Sequence, residues 1–319
     1  MKNSICTITA YFGKFNNYFK LWLKSCSLND TIDFLIFTDI EYDGFLPNNV
    51  KMIKMSLGEI ERRAIDVLGF NVRIRKPYKL CDFRPLYGLI FKDYLAGYEY
   101  WGHNDMDMIY GDIRKFLVEY SYEKYDKFLP LGHLAFYKNN CDVNQYFKMS
   151  GSKCGSYTEV LLKDNVLGFD EVRGIGSIMM KNNKKLFFKR IFADIATIYS
   201  RYVISVFASV DGCCEKNYKY QIFYWENGHL YREYYENKSW NRQEFVYIHF
   251  QKRPNFEVDF DSDLVDSFYI TPKGFFPKKE KVSIEVIQQF NPYKSFVFEK
   301  GELILWVIKK VLKKVHLLN

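Results

Sequence analysis

No C-x-x-C pair and no zinc-ligand spacing occurs among the seven cysteines, at positions 6, 26, 81, 141, 154, 213 and 214. Their number is odd, and most sit in apolar runs such as "ICTITAYF" around Cys6, where a free thiol behaves as a small hydrophobe. This predicts a reducing compartment and excludes a disulfide-stapled secreted scaffold. No run of about 18 apolar residues is present, and "MKNS" leads into a strand-like segment without an apolar leader, so the expectation is a cytoplasmic protein without a membrane span. Nucleic-acid motifs are missing too, including the aromatic signature of RNA-recognition sheets. The net charge of +8 therefore does not point to nucleic acid, and much of it lies in the last twenty residues and in scattered lysines.

What is present is apolar and aromatic. With 48% hydrophobic and 19% aromatic residues over 319 positions, the chain is a folded one with a large core, either two domains or one α/β domain with additions. "SICTITAYFG" reads as a buried strand ending at Gly13, "NYFKLWLKSC" as a helix with Phe19, Trp22, Leu23 and Cys26 at helical spacing, and "IDFLIFTD" as a second buried strand. That order makes a βαβ unit with a parallel sheet. "VKMIKM" is a third strand, and Ser56 with Glu59 is a capping-box pair opening a helix that Gly69 closes. Ligands of such sheets lie at the carboxyl ends of the strands, so "TAYFG", "FTD" and "NDMD" are expected to converge.

The stretch "YEYWGHNDMDMIYGDI" sets Asp105 and Asp107 one residue apart after a strand. On a strand the two carboxylates share a face and repel unless a positive group stands between them, and a divalent cation is the simplest one. The other reading is a solvated turn that caps a helix near Asp112. Just upstream, Lys79, Asp82 and Arg84 crowd the start of a helix expected to run to about Leu95, with Gly97 ending it. Asp82 as a cap and Pro85 in the first turn account for two of these features but leave Lys79 and Arg84 unexplained.

The order and spacing of "TAYFG", "DFLIFTD", "KLCDFRPLYG" and "WGHNDMDMIYGDI" resemble a family of bacterial GT-A-fold glycosyltransferases of capsule and surface-polysaccharide gene clusters. The match is dense over residues 4–137, with "GHLAFYKNN", "FDE" and "YIHFQKR" as later islands. The resemblance implies an α/β fold of GT-A type, a Rossmann-like sheet flanked by helices, with a C-terminal helical extension. The expected organisation is a catalytic domain over 1–255 (nucleotide-sugar half 1–115, acceptor half 116–255), an extension over 256–298 and a basic amphipathic helix over 299–319.

It also implies a metal-dependent enzyme of the hexosyltransferase type. Such an enzyme moves a sugar from a nucleoside-diphosphate donor, most commonly a UDP-sugar, to a saccharide acceptor, expected to be lipid-linked. On that resemblance Asp105 and Asp107 hold Mn²⁺ or Mg²⁺, with His249 late in the chain completing the set. Thr9, Ala10, Tyr11 and Phe12 meet the base, and Asp39 meets the base or ribose. Lys79, Asp82 and Arg84 meet the ribose, sugar or diphosphate, and Lys252 with Arg253 the diphosphate. His133 floors the acceptor site, and Asp170 or Glu171 activates the acceptor hydroxyl. The chemistry is coherent: a hard cation with oxygen ligands offsets charge developing on the leaving diphosphate, and a base must lie within hydrogen-bond reach of the attacking hydroxyl.

Bland readings stand beside these. His133 is an ordinary structural histidine, Asp170 and Glu171 belong to an acidic loop, His249 is a half-buried strand residue, and Asp39 caps a strand. For "KGELILWVIKKVLKKVHLLN", Leu305, Ile308, Leu312 and Val315 line one helical face and Lys309, Lys310, Lys313 and Lys314 lie on or near the other. That pattern predicts an interfacial helix on anionic lipid, with packing on the protein's own body as the alternative. Of the other function classes, a glycoside hydrolase needs two acids about 5 Å or more apart across a bond, which suits the adjacent pair poorly. A basic binding module without catalysis is the third class.

Overall fold

The computed structural model describes residues 4–205, 215–251, 256–258 and 260–316, with side chains described as far as Lys310. Lys252 and Arg253 lie outside the described residues. The chain opens with β1 (Ile5–Ala10), α1 (Phe19–Ser27), β2 (Ile32–Thr38) and β3 (Val50–Lys54), the order the sequence predicts. Helix α2 (Leu57–Leu68) begins at the expected capping box, Ser56 accepting from Glu59 N–H and Glu59 answering to the Ser56 backbone. It ends at Gly69, whose φ of 73° is a left-handed turn that glycine enters at no steric cost.

The helix expected up to Leu95 is mostly something else. Residues Pro77–Leu86 wind as a 3₁₀ segment running into the single turn α3 (Tyr87–Ile90), with Pro85 inside it. Proline supplies no N–H, and the tighter winding accommodates it where a regular α-helix would not. There follow β4 (Tyr100–Asn104), β5 (Met108–Tyr110), α4 (Ile113–Glu119), β6 (Lys127–Phe128), β7 (Leu134–Lys138), α5 (Tyr157–Leu162), α6 (Ser177–Lys181), β8 (Leu186–Phe187) and β9 (Ala193–Asp194). The remainder carries β10 (Tyr220–Glu226), β11 (His229–Glu236), β12 (Ser239–Phe245), β13 (Tyr247–His249), β14 (Glu257–Val258), β15 (Ser267–Ile270), β16 (Gly274–Pro277), α7 (Ile284–Phe290) and α8 (Phe296–His316).

Two compact units result, the first made of residues 1–15, 22–106 and 113–190 and the second of 16–21, 107–112 and 191–319. The first is an α/β layer: a seven-stranded sheet in the order β3-β2-β1-β4-β7-β6-β8, flanked by helices. β3, β2, β1 and β4 run parallel, while β7 is antiparallel to β4. Both β1 and β2 are buried almost end to end, as a sheet covered on two faces requires. Trp101 of β4 stacks on Tyr137 of β7 at 4.4 Å within the main core. The strand order reverses between β1 and β4, and in open α/β sheets the crevice beyond such a reversal is where ligands bind.

The second unit holds a six-stranded sheet, β12-β11-β10-β15-β16-β14, and a three-stranded one, β5-β13-β9. The segment expected as an extension over 256–298 contributes three strands to the larger sheet before the short α7. Its apolar residues come in runs too short for a clear helical or alternating period, which hides strands of two to four residues.

Candidate functional site

In the first unit the carboxyl ends of β1 and β4 meet. Thr9 donates its hydroxyl to Asn104 Oδ1 at 2.9 Å, and the Tyr11 N–H donates to the Phe37 carbonyl at 2.9 Å. Thr9 is buried, Ala10 and Tyr11 are half-buried, the Tyr11 ring stacks on Phe15, and Phe12 packs on the core. Asp39 stands exposed just past β2.

Asp105 and Asp107 fall in the bend between β4 and β5, not on a strand, so strand alternation does not aim them. The Asp105 N–H donates to the His133 carbonyl at 2.8 Å, which puts half-buried His133 in the turn before β7. The Asp105 carboxylate pairs with Arg84. Arg84 also donates to Asp170 Oδ2 at 2.8 Å and to the Gly132 carbonyl at 3.0 Å. One guanidinium thus ties together three segments far apart in sequence. Gly132 is what lets them close: a Cβ there would lie 2.4 Å from Asp170 Oδ2 and 2.9 Å from Glu171 Oε1.

Burial sets the protonation of this group. It pushes the Asp170 carboxyl up to about 6 against the pull of Arg84, and it pushes Glu171, beside Asp170, up to about 8. Lys127, wholly buried and donating to the Leu129 and Pro130 carbonyls, is pushed down to about 7 by the same loss of water. Asp170 is engaged by Arg84 and nearly inaccessible; Glu171 is less buried.

Lys79 and Asp82 have a different surrounding from Arg84. Both are buried and form an ion pair at 2.7 Å. Lys79 further donates to the Val160 and Asn165 carbonyls, and Asp82 accepts from the Leu167 and Phe169 N–H groups. Asp82 is therefore no helix cap. The pair pins the 160–169 segment to the 3₁₀ turn, and removing one partner would leave a charge unpaired in the interior.

The second unit builds its own cluster on the three-stranded sheet. β13 lies in the middle, antiparallel to β5 and parallel to β9, with His249 in register with Met108 on one side and Asp194 on the other. The Phe250 N–H donates to the Asp107 carbonyl at 2.8 Å, fixing Asp107 at the head of β5. Within this frame His249 Nδ1 lies 2.8 Å from Asp194 Oδ1 and His249 Nε2 lies 3.4 Å from Asp107 Oδ1. Burial opposes a charge on the imidazole, but Asp107 and Asp194 outweigh it and raise its pKa to about 10. Gln251 donates to the other oxygen of Asp194 at 2.9 Å.

The two aspartates thus have separate protein cations, Arg84 for Asp105 and His249 for Asp107. The donor set at Asp107 and His249 fits a divalent ion. Carboxylate oxygen and imidazole nitrogen are borderline-hard ligands, and adjacent ligands of one ion at about 2.1 Å stand roughly 3 Å apart, close to the spacing found. Asp194 would then hold the imidazole by its far nitrogen, as a carboxylate behind a metal-binding histidine does. Sequence reasoning missed Asp194, Gln251 and Lys127. For Asp194 the signal was there, a lone charge in the apolar run "IFADIATIY".

A model of a family of unknown function, DUF6625, matches residues 7–279. The chain belongs to that family. No curated protein matches it in sequence. Among solved structures, the chain is similar to the galactosyltransferase LgtC, in complex with donor and acceptor sugar analogs, at 11% identity with a TM-score of 0.34, over 59% of this chain and 75% of that one. It is also similar to mouse xyloside xylosyltransferase 1 in its apo form, at 7% identity with a TM-score of 0.41, over 79% of this chain and 99% of that one.

Helix α8 shows two faces. Glu299 pairs with Arg201, Glu302 accepts from the Ser200 N–H at 3.0 Å, and Lys310 lies 4.0 Å over the half-buried ring of Trp306. On the other side Ile304 and Leu305 are each 58% exposed, and Val307 and Ile308 are nearly half exposed. The side chains of Leu312, Lys313, Lys314 and Val315 lie outside the described residues. No helix among the described residues is long and apolar enough to cross a membrane.

Proposed function

We propose that this chain is a metal-dependent glycosyltransferase that moves a sugar from a nucleoside-diphosphate donor, a UDP-sugar first among candidates, to a saccharide acceptor. The observation that carries the reading is the Asp107–His249–Asp194 arrangement, in which the second aspartate of the D-x-D sequence faces a buried histidine held from behind by a buried aspartate. Mn²⁺ or Mg²⁺ held by Asp107 and His249, with Asp105 two positions before Asp107 in the chain, would offset the charge of the leaving diphosphate. The likeness to glycosyltransferase structures is too distant to add weight; the motif order in the sequence supports the reading independently.

The remaining residues then have defined work. Thr9 to Phe12 and Asp39 sit at strand ends where a nucleoside docks. Arg84 holds Asp105 and Asp170 in place and keeps positive charge beside them. Glu171, less buried than Asp170, is assigned the acceptor hydroxyl, whose proton it takes in its ionised form, favoured as pH rises towards about 8; Asp170 is taken up by Arg84. His133, half-buried in the turn before β7, is assigned to the acceptor. The exposed apolar face of α8, followed by its lysines, favours a peripheral hold on anionic lipid at the cytoplasmic face and an acceptor borne there, as in surface-polysaccharide synthesis.

A thermal-shift panel of UDP, GDP, CDP and their sugars, each with Mn²⁺ and with chelator, tests the reading. Stabilisation by at least one of them only with the ion supports it; no nucleotide effect in any condition rejects it.

A further inference from the structure

The second unit contains a cavity of about 350 Å³ that the reading above does not use. Its lining includes Asp194, Thr197, Ser205 and Gln251 from the body and Trp306 and Lys310 from α8. The volume is within the range of roughly 300–1,000 Å³ typical of small-molecule sites. Asp194 is shared, since the carboxylate that holds His249 also walls the cavity. Its two oxygens accept from His249 and Gln251, which fixes the carboxylate at the cavity wall. Gln251 is held at a φ of 51°, a left-handed conformation that non-glycine residues rarely adopt and that clusters at functional sites.

We propose that this cavity binds the phosphate-bearing sugar ring of the acceptor, a ring other than the one whose hydroxyl reacts, with α8 as one wall of the site. The proposal rests on the glycosyltransferase reading and specifies the acceptor's class. Asp194, Gln251, Ser205 and Thr197 present carboxylate, amide and hydroxyl groups that match a polyhydroxylated ring, and Trp306 supplies an apolar surface beside them. The Lys310 ammonium stands over that indole and suits a phosphate ester. The faces of the same helix turned away from the cavity expose Ile304, Leu305, Val307 and Ile308, an apolar surface that suits the hydrocarbon end of a lipid phosphate rather than a soluble sugar phosphate. The helix is then not a detachable tether: its first half packs on the 199–201 segment through Glu299 and Glu302 and completes the cavity.

The test is saturation-transfer NMR on the full chain with UDP and Mg²⁺ in excess, so that sugar phosphates do not read out the donor site. The probes are the 1-phosphates of glucose, galactose, mannose and N-acetylglucosamine, and the dodecyl diester of each. At least one sugar phosphate is expected to bind. Thr197→Trp, which fills the mouth from an exposed position, should abolish its signal, and Lys310→Glu should weaken it about fivefold or more. The dodecyl diester should bind more than about tenfold tighter than the free phosphate. Absence of binding by every probe, or equal signals in Thr197→Trp and wild type, overturns the cavity assignment. Equal affinity for phosphate and diester overturns the lipid source. Failure of UDP and Mg²⁺ to bind would instead count against the transferase reading, and it is measured separately in the same samples.

Discussion

Asp194 grips His249 by Nδ1 at 2.8 Å and so commits Nε2, the nitrogen nearest Asp107, to face the carboxylate of the D-x-D sequence. A backbone frame supports the grip. His249 and Asp194 are register partners on β13 and β9, and the Ile195 N–H donates to the His249 carbonyl at 3.0 Å.

Asp194→Asn keeps the size of the side chain and loses the charge behind the ring. Loss of such an outer partner typically costs about 10–100-fold in metal affinity. Titration with Mn²⁺ followed by electron paramagnetic resonance should show that loss, with the circular dichroism spectrum unchanged. Wild-type affinity in the variant would mean that His249 is oriented by the sheet alone or does not bind the ion.

Arg84 bridges two carboxylates in the first unit, so its removal takes a cation from both. Arg84→Met should destabilise the protein by about 3–5 kcal/mol, the cost of breaking a buried pair. Adding Asp170→Asn to it should restore part of that loss, because one of the stranded charges is gone. Urea unfolding of the two variants measures both effects; an Arg84→Met protein as stable as wild type would show that the bridge is solvated.

The fold of the first unit was legible because its strands are buried on both faces and read as unbroken apolar runs, and because Ser56, Glu59 and Gly69 mark one helix at both ends. His249 and the D-x-D pair were legible from residue type and order. The partition of the pair was not: that Asp105 meets Arg84 while Asp107 meets His249 depends on contacts 21 and 142 positions away in the chain. Lys79 and Asp82 looked like Arg84 in sequence, but they are consumed by the backbone of residues 160–169. Trp306 lines the cavity together with Lys310, a distinction of helical face that spacing alone leaves open.

Stability should depend on pH through Glu171. Burial pushes its carboxyl up to about 8 from the ordinary 4.5, so between these values the folded form holds a proton that the unfolded chain has released. Stability therefore falls as pH rises from about 4.5 to 8, and Asp170, raised to about 6, adds to the fall in its lower part. Lys127 acts oppositely above about 7, where the unfolded chain binds the extra proton. Melting temperatures of wild type and Glu171→Gln between pH 5 and 8 check this. The wild type should lose several degrees more than the variant, and parallel curves would place Glu171 in water.

The central claim is that a divalent ion at Asp107 and His249 joins the protein to a nucleoside diphosphate. Isothermal titration of UDP into wild type and Asp107→Asn, each with Mn²⁺ and with excess EDTA, tests it most directly. At ligand about a hundredfold above its dissociation constant, binding contributes about 2.7 kcal/mol of stabilisation, so the same samples can be followed by melting. The account predicts heat and a raised melting temperature only for wild type with Mn²⁺. Equal UDP binding in EDTA, or in Asp107→Asn, would contradict it.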